Sequence, residues 1–122
     1  MRAVATRTRG GELARLLSTS SGPTDMLVHA VYFWLRPDLS EQEQAQFAAN
    51  LQTLATIPSK GCYIGKPSST DRPVIDRSYT WALVLLFADL AEHDAYQVHP
   101  THQAFVAENK SLWSRVQIYD SE

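Results

Sequence analysis

The longest apolar run in the chain, Leu27 to Leu35 (LVHAVYFWL), stops at Arg36-Pro37-Asp38, and its β-branched and aromatic content predicts a strand. Successive strand residues point to opposite faces. One set is Leu27, His29, Val31, Phe33 and Leu35, the other Val28, Ala30, Tyr32 and Trp34; both are mostly apolar, so both faces need cover. Ser40-Glu41-Gln42-Glu43 then reads as a capping box, with Ser40 and Glu43 each closing on the other's backbone. Phe47, Leu51 and Leu54 follow on one helical stripe, which predicts a helix to about Ala55. Ile57 to Gly61 turns the chain, Cys62 to Gly65 makes a short strand, and Pro67 to Ser78 is a long polar loop.

Tyr79 to Phe87 (YTWALVLLF) is apolar on both alternating sets, as expected of a strand in mid-sheet. Asp89-Leu90-Ala91-Glu92 reads as a second capping box opening a short helix to about Val98. Pro100 lacks an N–H and disfavours helical geometry at His99, so the chain bends there and restarts with the proline in the first turn of another helix. Trp113 to Tyr119 alternates Val116 and Ile118 with Arg115 and Gln117 and closes the order βαββαβ.

Two right-handed crossovers in that order put the helices on one face of a four-stranded, largely antiparallel sheet: an α+β, ferredoxin-like sandwich. The opposite face is left bare yet apolar. A patch of that size predicts a homodimer with its two sheets face to face, closing a twofold interface. Residues 1–25 differ in character, with Arg2, Arg7, Arg9 and Arg15 against Glu12 and Asp25 and a Ser/Thr-rich run to Thr24. They read as a flexible N-terminal tail, or as residues upstream of a misassigned start at Met26, and residues 26–122 as the domain.

Composition narrows the partners. At 122 residues, 44% hydrophobic and 20% charged, the chain suits one globular domain. A net charge of -2 and a pI of about 6.1 offer no basic face for nucleic acid. No apolar run approaches the roughly 18 residues of a membrane span. The single cysteine, Cys62, fits a reducing compartment, by default the cytoplasm, and is expected to be a buried thiol rather than a nucleophile.

The chemistry concentrates in Tyr96-Gln97-Val98-His99-Pro100-Thr101-His102, where a tyrosine and two histidines recur at every third position across a proline. A phenol and an imidazole at such a corner can orient a substrate oxygen and move a proton near neutral pH. The same residues can serve structure alone, since a His-Pro pair caps helix starts and an aromatic on a short helix packs into a core. A metal site is disfavoured: His99 and His102 lie three apart, but Asp94 and Glu92 are poorly placed thirds for a centre that wants four ligands, or three with water. His93 is expected to be solvated.

Residues 26–122 resemble the stress-responsive α/β-barrel (Dabb) family through the Val28-His29 strand, Ile57-Pro58, Tyr79 to Phe87 and, above all, Tyr96-x-x-His99-Pro100-x-His102-x-x-Phe105. The resemblance implies a dimeric α+β barrel, in agreement with the two-sided apolar strands. It also brings in a plant polyketide cyclase of this fold, in which a histidine and a tyrosine do the work without a cofactor. Carried over by motif, His102 is the catalytic base and Tyr96 its partner, with His29 and Phe47 lining the pocket. Val31, Phe33, Leu51 and His99 complete the expected substrate-binding set. The expected ligand is a small apolar carbonyl compound, acted on by a cyclase- or lyase-like step. Two other readings stay open: a protein that binds such a ligand without transforming it, and a structural dimerisation module with a filled interior.

Overall fold

The computed structural model describes residues 26–122; the expectation for residues 1–25 falls outside the described residues. Strand β1 (Leu27–Leu35) is followed by helix α1 (Glu41–Gln52), which tightens into a 3-10 turn at Thr53–Thr56. Strands β2 (Gly61–Gly65) and β3 (Trp81–Phe87) come next, then helices α2 (Leu90–Gln97) and α3 (Pro100–Asn109), and strand β4 (Trp113–Ser121). The sheet order is β2-β3-β1-β4 and every neighbouring pair is antiparallel. This is the ferredoxin-like arrangement that the order βαββαβ predicts.

The two apolar sets of β1 separate as the strand period requires. Leu27, His29, Val31 and Phe33 are buried beneath the helices, and Val28, Ala30, Tyr32 and Trp34 are half-buried on the other face. The register Val31↔Leu83 and Phe33↔Trp81 carries the inner face into β3, and Val31↔Ile118 and Phe33↔Val116 carry it into β4. Phe47 and Leu51 of α1 close over it, both fully buried. A polar tie joins two helices within their layer: Asn109, fully buried on α3, donates to the Phe105 carbonyl at 2.8 Å and accepts from the Asn50 amide of α1 at 3.0 Å. Neither amide is left unpaired in a place where that is costly.

Helix ends explain the turns. Ser40 caps α1 with the reciprocal Glu43 bond to its own N–H, both halves of the box being present. Only half of the second box forms. Asp89 accepts from Glu92 N at 2.9 Å, but the Glu92 carboxylate takes the N–H of Ala88 at 2.7 Å, the one within its reach when Asp89 is fully extended. Cys62, expected to be buried, is exposed, because β2 is an edge strand and its inner side has neighbours on one flank only. Partial desolvation still pushes its thiol above the usual value, so it is protonated at neutral pH and a poor nucleophile.

Candidate functional site

The bend at Pro100 sets α2 and α3 at a corner, and between that corner and the inner face of the sheet lies a cavity of about 220 Å³. His29, Tyr96 and His102 border it, and among its apolar walls are Val31, Phe33, Leu83 and Phe105. Ile118 and Val116 of the edge strand β4, 45% and 38% exposed, form its open side. The volume lies below the roughly 300–1,000 Å³ of drug-sized ligand sites, which suits a compound of a few heavy atoms.

Hydrogen-bond partners fix the ring chemistry. His102 Nδ1 lies 3.1 Å from the Gln97 carbonyl, and because a carbonyl only accepts, Nδ1 carries the proton and Nε2 keeps a lone pair. Burial first, and the neighbouring His29 and His93 after it, pull the His102 pKa below its ordinary value against the opposing carbonyl bond. The ring is therefore neutral at pH 7 and ready to accept. Tyr96 lies beside it, ring centroids 4.7 Å apart, and is 2% exposed. Desolvation drives its phenol far above the usual range, so it stays protonated and keeps an O–H to donate to a ligand oxygen.

His29 also lies against Tyr96, at 5.7 Å between centroids, and its Nδ1 is 2.6 Å from Asp120 Oδ1. His93, expected to be solvated, packs instead on His29 at 5.2 Å and on Phe87 at 5.8 Å, because it sits three residues before Tyr96 on the same helical face. His29, His93 and Asp120 bring ligand atoms within 4.8 Å of one another, the one such group among the described residues. For zinc they fit poorly as they stand: bonds of about 2.0–2.2 Å set tetrahedral ligand atoms roughly 3.4 Å apart, whereas His29 Nδ1 and Asp120 Oδ1 are hydrogen-bonded at 2.6 Å.

Of the residues the sequence assigns to the pocket, His29, Val31, Phe33, Tyr96 and His102 border the cavity. Phe47, Leu51 and His99 do not. Phe47 and Leu51 are fully buried in the core cluster beyond it. His99 caps α3, its Nδ1 accepting from Thr101 N at 3.1 Å, so its neutral ring carries the proton on Nε2 and has a structural partner. Asp120, which sequence reasoning passed over, enters the site because β4 runs on to Ser121 and pairs Asp120 directly across from His29.

Burial of the two neutral imidazoles has a consequence for stability. The folded pKa values of His29 and His102 lie below the ordinary 6.5, desolvation being the largest cause for each. On acidification the unfolded chain therefore binds protons before the folded one, and stability rises with pH in that window. Their contribution is complete above pH ~6.5 and is lost as pH falls through the lowered values. The urea midpoint is expected to drop between pH ~7.5 and ~5, and to drop less in a His29→Gln, His102→Gln double variant.

The family model "Stress responsive A/B Barrel Domain" (Dabb) matches residues 27–122. No curated protein sequence matches the chain. Among solved structures, a Dabb family protein with a ferredoxin-like fold from Mesorhizobium loti is 25% identical, with a TM-score of 0.65 over 80% of this chain and 95% of that one. The hydroxynitrile lyase of Passiflora edulis is 20% identical, with a TM-score of 0.67 over 81% of this chain and 94% of that one. A dimeric ferredoxin-like protein of unknown function from Thermobifida fusca is 19% identical, with a TM-score of 0.65 over 79% and 89%. At these identities the last two show likeness of fold.

Proposed function

Because the chain belongs to the Stress responsive A/B Barrel Domain family, we propose that it is a homodimer whose cavity takes a small carbonyl compound, on which His102 and Tyr96 act by cofactor-independent acid–base chemistry. The observation that carries this reading is the pairing, at one open apolar cavity, of an imidazole held neutral with a phenol held protonated. His102 Nε2 takes a proton from the carbon next to the carbonyl, the C–H electron pair becomes the carbon–carbon double bond of an enolate as the carbonyl π pair moves to oxygen, and the Tyr96 hydroxyl donates to that oxygen as it gains charge. Return of the proton, or loss of a leaving group from the adjacent carbon, completes an exchange or a lyase-like step. One structural neighbour carries out lyase chemistry on this fold. The single cysteine supports a cytoplasmic setting.

The homodimer is supported by the outer sheet face, where Val28, Ala30 and Tyr32 of β1 lie opposite Leu86, Val84 and Ala82 of β3. Three structural neighbours are dimeric proteins with a ferredoxin-like fold. Native mass spectrometry of the purified protein tests both parts together. The expected result is a dimer that releases a small carbonyl compound on denaturation, and a Val84→Glu variant that is monomeric. Exchange of deuterium into acetylacetone, followed by NMR, tests the chemistry without knowledge of the natural substrate. A wild-type protein that stays monomeric at micromolar concentration removes the dimer, and exchange at the buffer rate removes the base.

A further inference from the structure

His29, Tyr96 and His102 are the titratable side chains that border the cavity, and two are accounted for: His102 Nε2 as base and Tyr96 as donor. The third is His29. Its ring is 2% exposed, deep under α2, and borders the same cavity. Its Nδ1 meets the Asp120 carboxylate at 2.6 Å, a short charge-assisted bond in which an ionised oxygen can only accept, so the proton is on Nδ1. Nε2 then holds a lone pair, and among the described residues no hydrogen bond reaches it. A buried acceptor left unpaired costs free energy that a ligand donor recovers.

The register explains why Asp120 can do this. His29 and Asp120 are directly opposite on adjacent antiparallel strands, where side chains of one face meet. Asp120 is itself 42% exposed at the end of β4, so its charge remains hydrated while one oxygen reaches inward. Its second oxygen is 3.9 Å from His93 Nε2. The titratable groups around His29 are thus Asp120 on β4, His93 and Tyr96 on α2, and His102 on α3.

We propose that Asp120 is a positioning residue that holds His29 with Nε2 as an acceptor toward the cavity, and that the ligand therefore carries a hydroxyl as well as a carbonyl. The hydroxyl donates to His29 Nε2, the carbonyl accepts from Tyr96, and the carbon between or beside them faces His102 Nε2. The inference rests on the carbonyl-site reading for its ligand class, but the assignment to Asp120 stands apart from turnover.

The test has two readouts. Nitrogen-15 NMR of the histidine rings, above pH ~7 where His29 is neutral, is expected to show Nδ1 protonated in the wild type and in Asp120→Asn, which keeps an acceptor oxygen. In Asp120→Ala the proton is expected to shift to Nε2. Binding of 3-hydroxybutan-2-one against butan-2-one, followed by amide shifts, is expected to favour the hydroxy compound roughly tenfold in the wild type, as one additional hydrogen bond allows. In Asp120→Ala that preference is expected to vanish. A His29 proton that stays on Nδ1 in Asp120→Ala overturns the positioning role. Equal binding of the two compounds by the wild type, or no binding, overturns the ligand class, and loss of acetylacetone exchange alone bears only on the base.

Discussion

His102→Gln is expected to reduce deuterium exchange into acetylacetone by about 100- to 10,000-fold, the range that positioned acid–base groups contribute. Glutamine is close in size and keeps a polar amide beside the Gln97 carbonyl that His102 now uses, but it has no basic nitrogen. His102 is half-buried and outside the core cluster, and the thermal transition should move little. Rate against pH sharpens the assignment. With the His102 pKa drawn below 6.5 by burial, the wild-type rate should climb with pH through that lowered value and be level by neutrality, and the variant should lack the climb. Exchange in His102→Gln at the wild-type rate removes His102 as the base.

Phe47→Ala is expected to act on stability and not on the Michaelis constant. Its ring is fully buried and lies at 5.3 Å from Phe33, 5.8 Å from Phe105 and 6.4 Å from Trp113, centroid to centroid. Removing a buried phenyl costs about 3–5 kcal/mol through lost transfer energy and the void left behind. Small domains have only about 5–15 kcal/mol in hand, so the thermal midpoint should fall by well over ten degrees at fixed protein concentration. A raised Michaelis constant with an unchanged midpoint would return Phe47 to the pocket, where the family resemblance put it.

That displacement of Phe47 shows where sequence reasoning stops. A stripe such as Phe47, Leu51 and Leu54 tells which side of a helix is buried, and α1 presents that side inward. It does not tell whether the stripe meets packed side chains or an empty space, because this depends on shapes contributed by β1, α3 and β4 together. Local chemistry was more legible: Arg36-Pro37 marks the end of β1, Ser40 and Glu43 the start of α1, and Pro100 the first turn of α3. Asp120 escaped because it places a carboxylate on the inner set begun by Val116 and Ile118, so the alternation fades just where the site begins. His93 escaped for a related reason: Glu92 and Asp94 beside it suggest water, whereas the helical period carries it next to Tyr96. Which nitrogen of each histidine bears the proton belongs to bonding partners, some of them distant in the chain, and not to composition.

The corner at Pro100 also has a meaning for the backbone itself. In an unbroken helix the N–H of Thr101 would belong to the carbonyl of Gln97, four residues back. Here that N–H goes to the ring of His99, and the carbonyl it would have used receives the ring of His102. One histidine thus diverts a donor so that the other may have the acceptor, and the proline between them keeps the helix from reclaiming both. The spacing His-Pro-x-His is in this light a way of withholding a single peptide oxygen from secondary structure and using it to decide which face of an imidazole is basic.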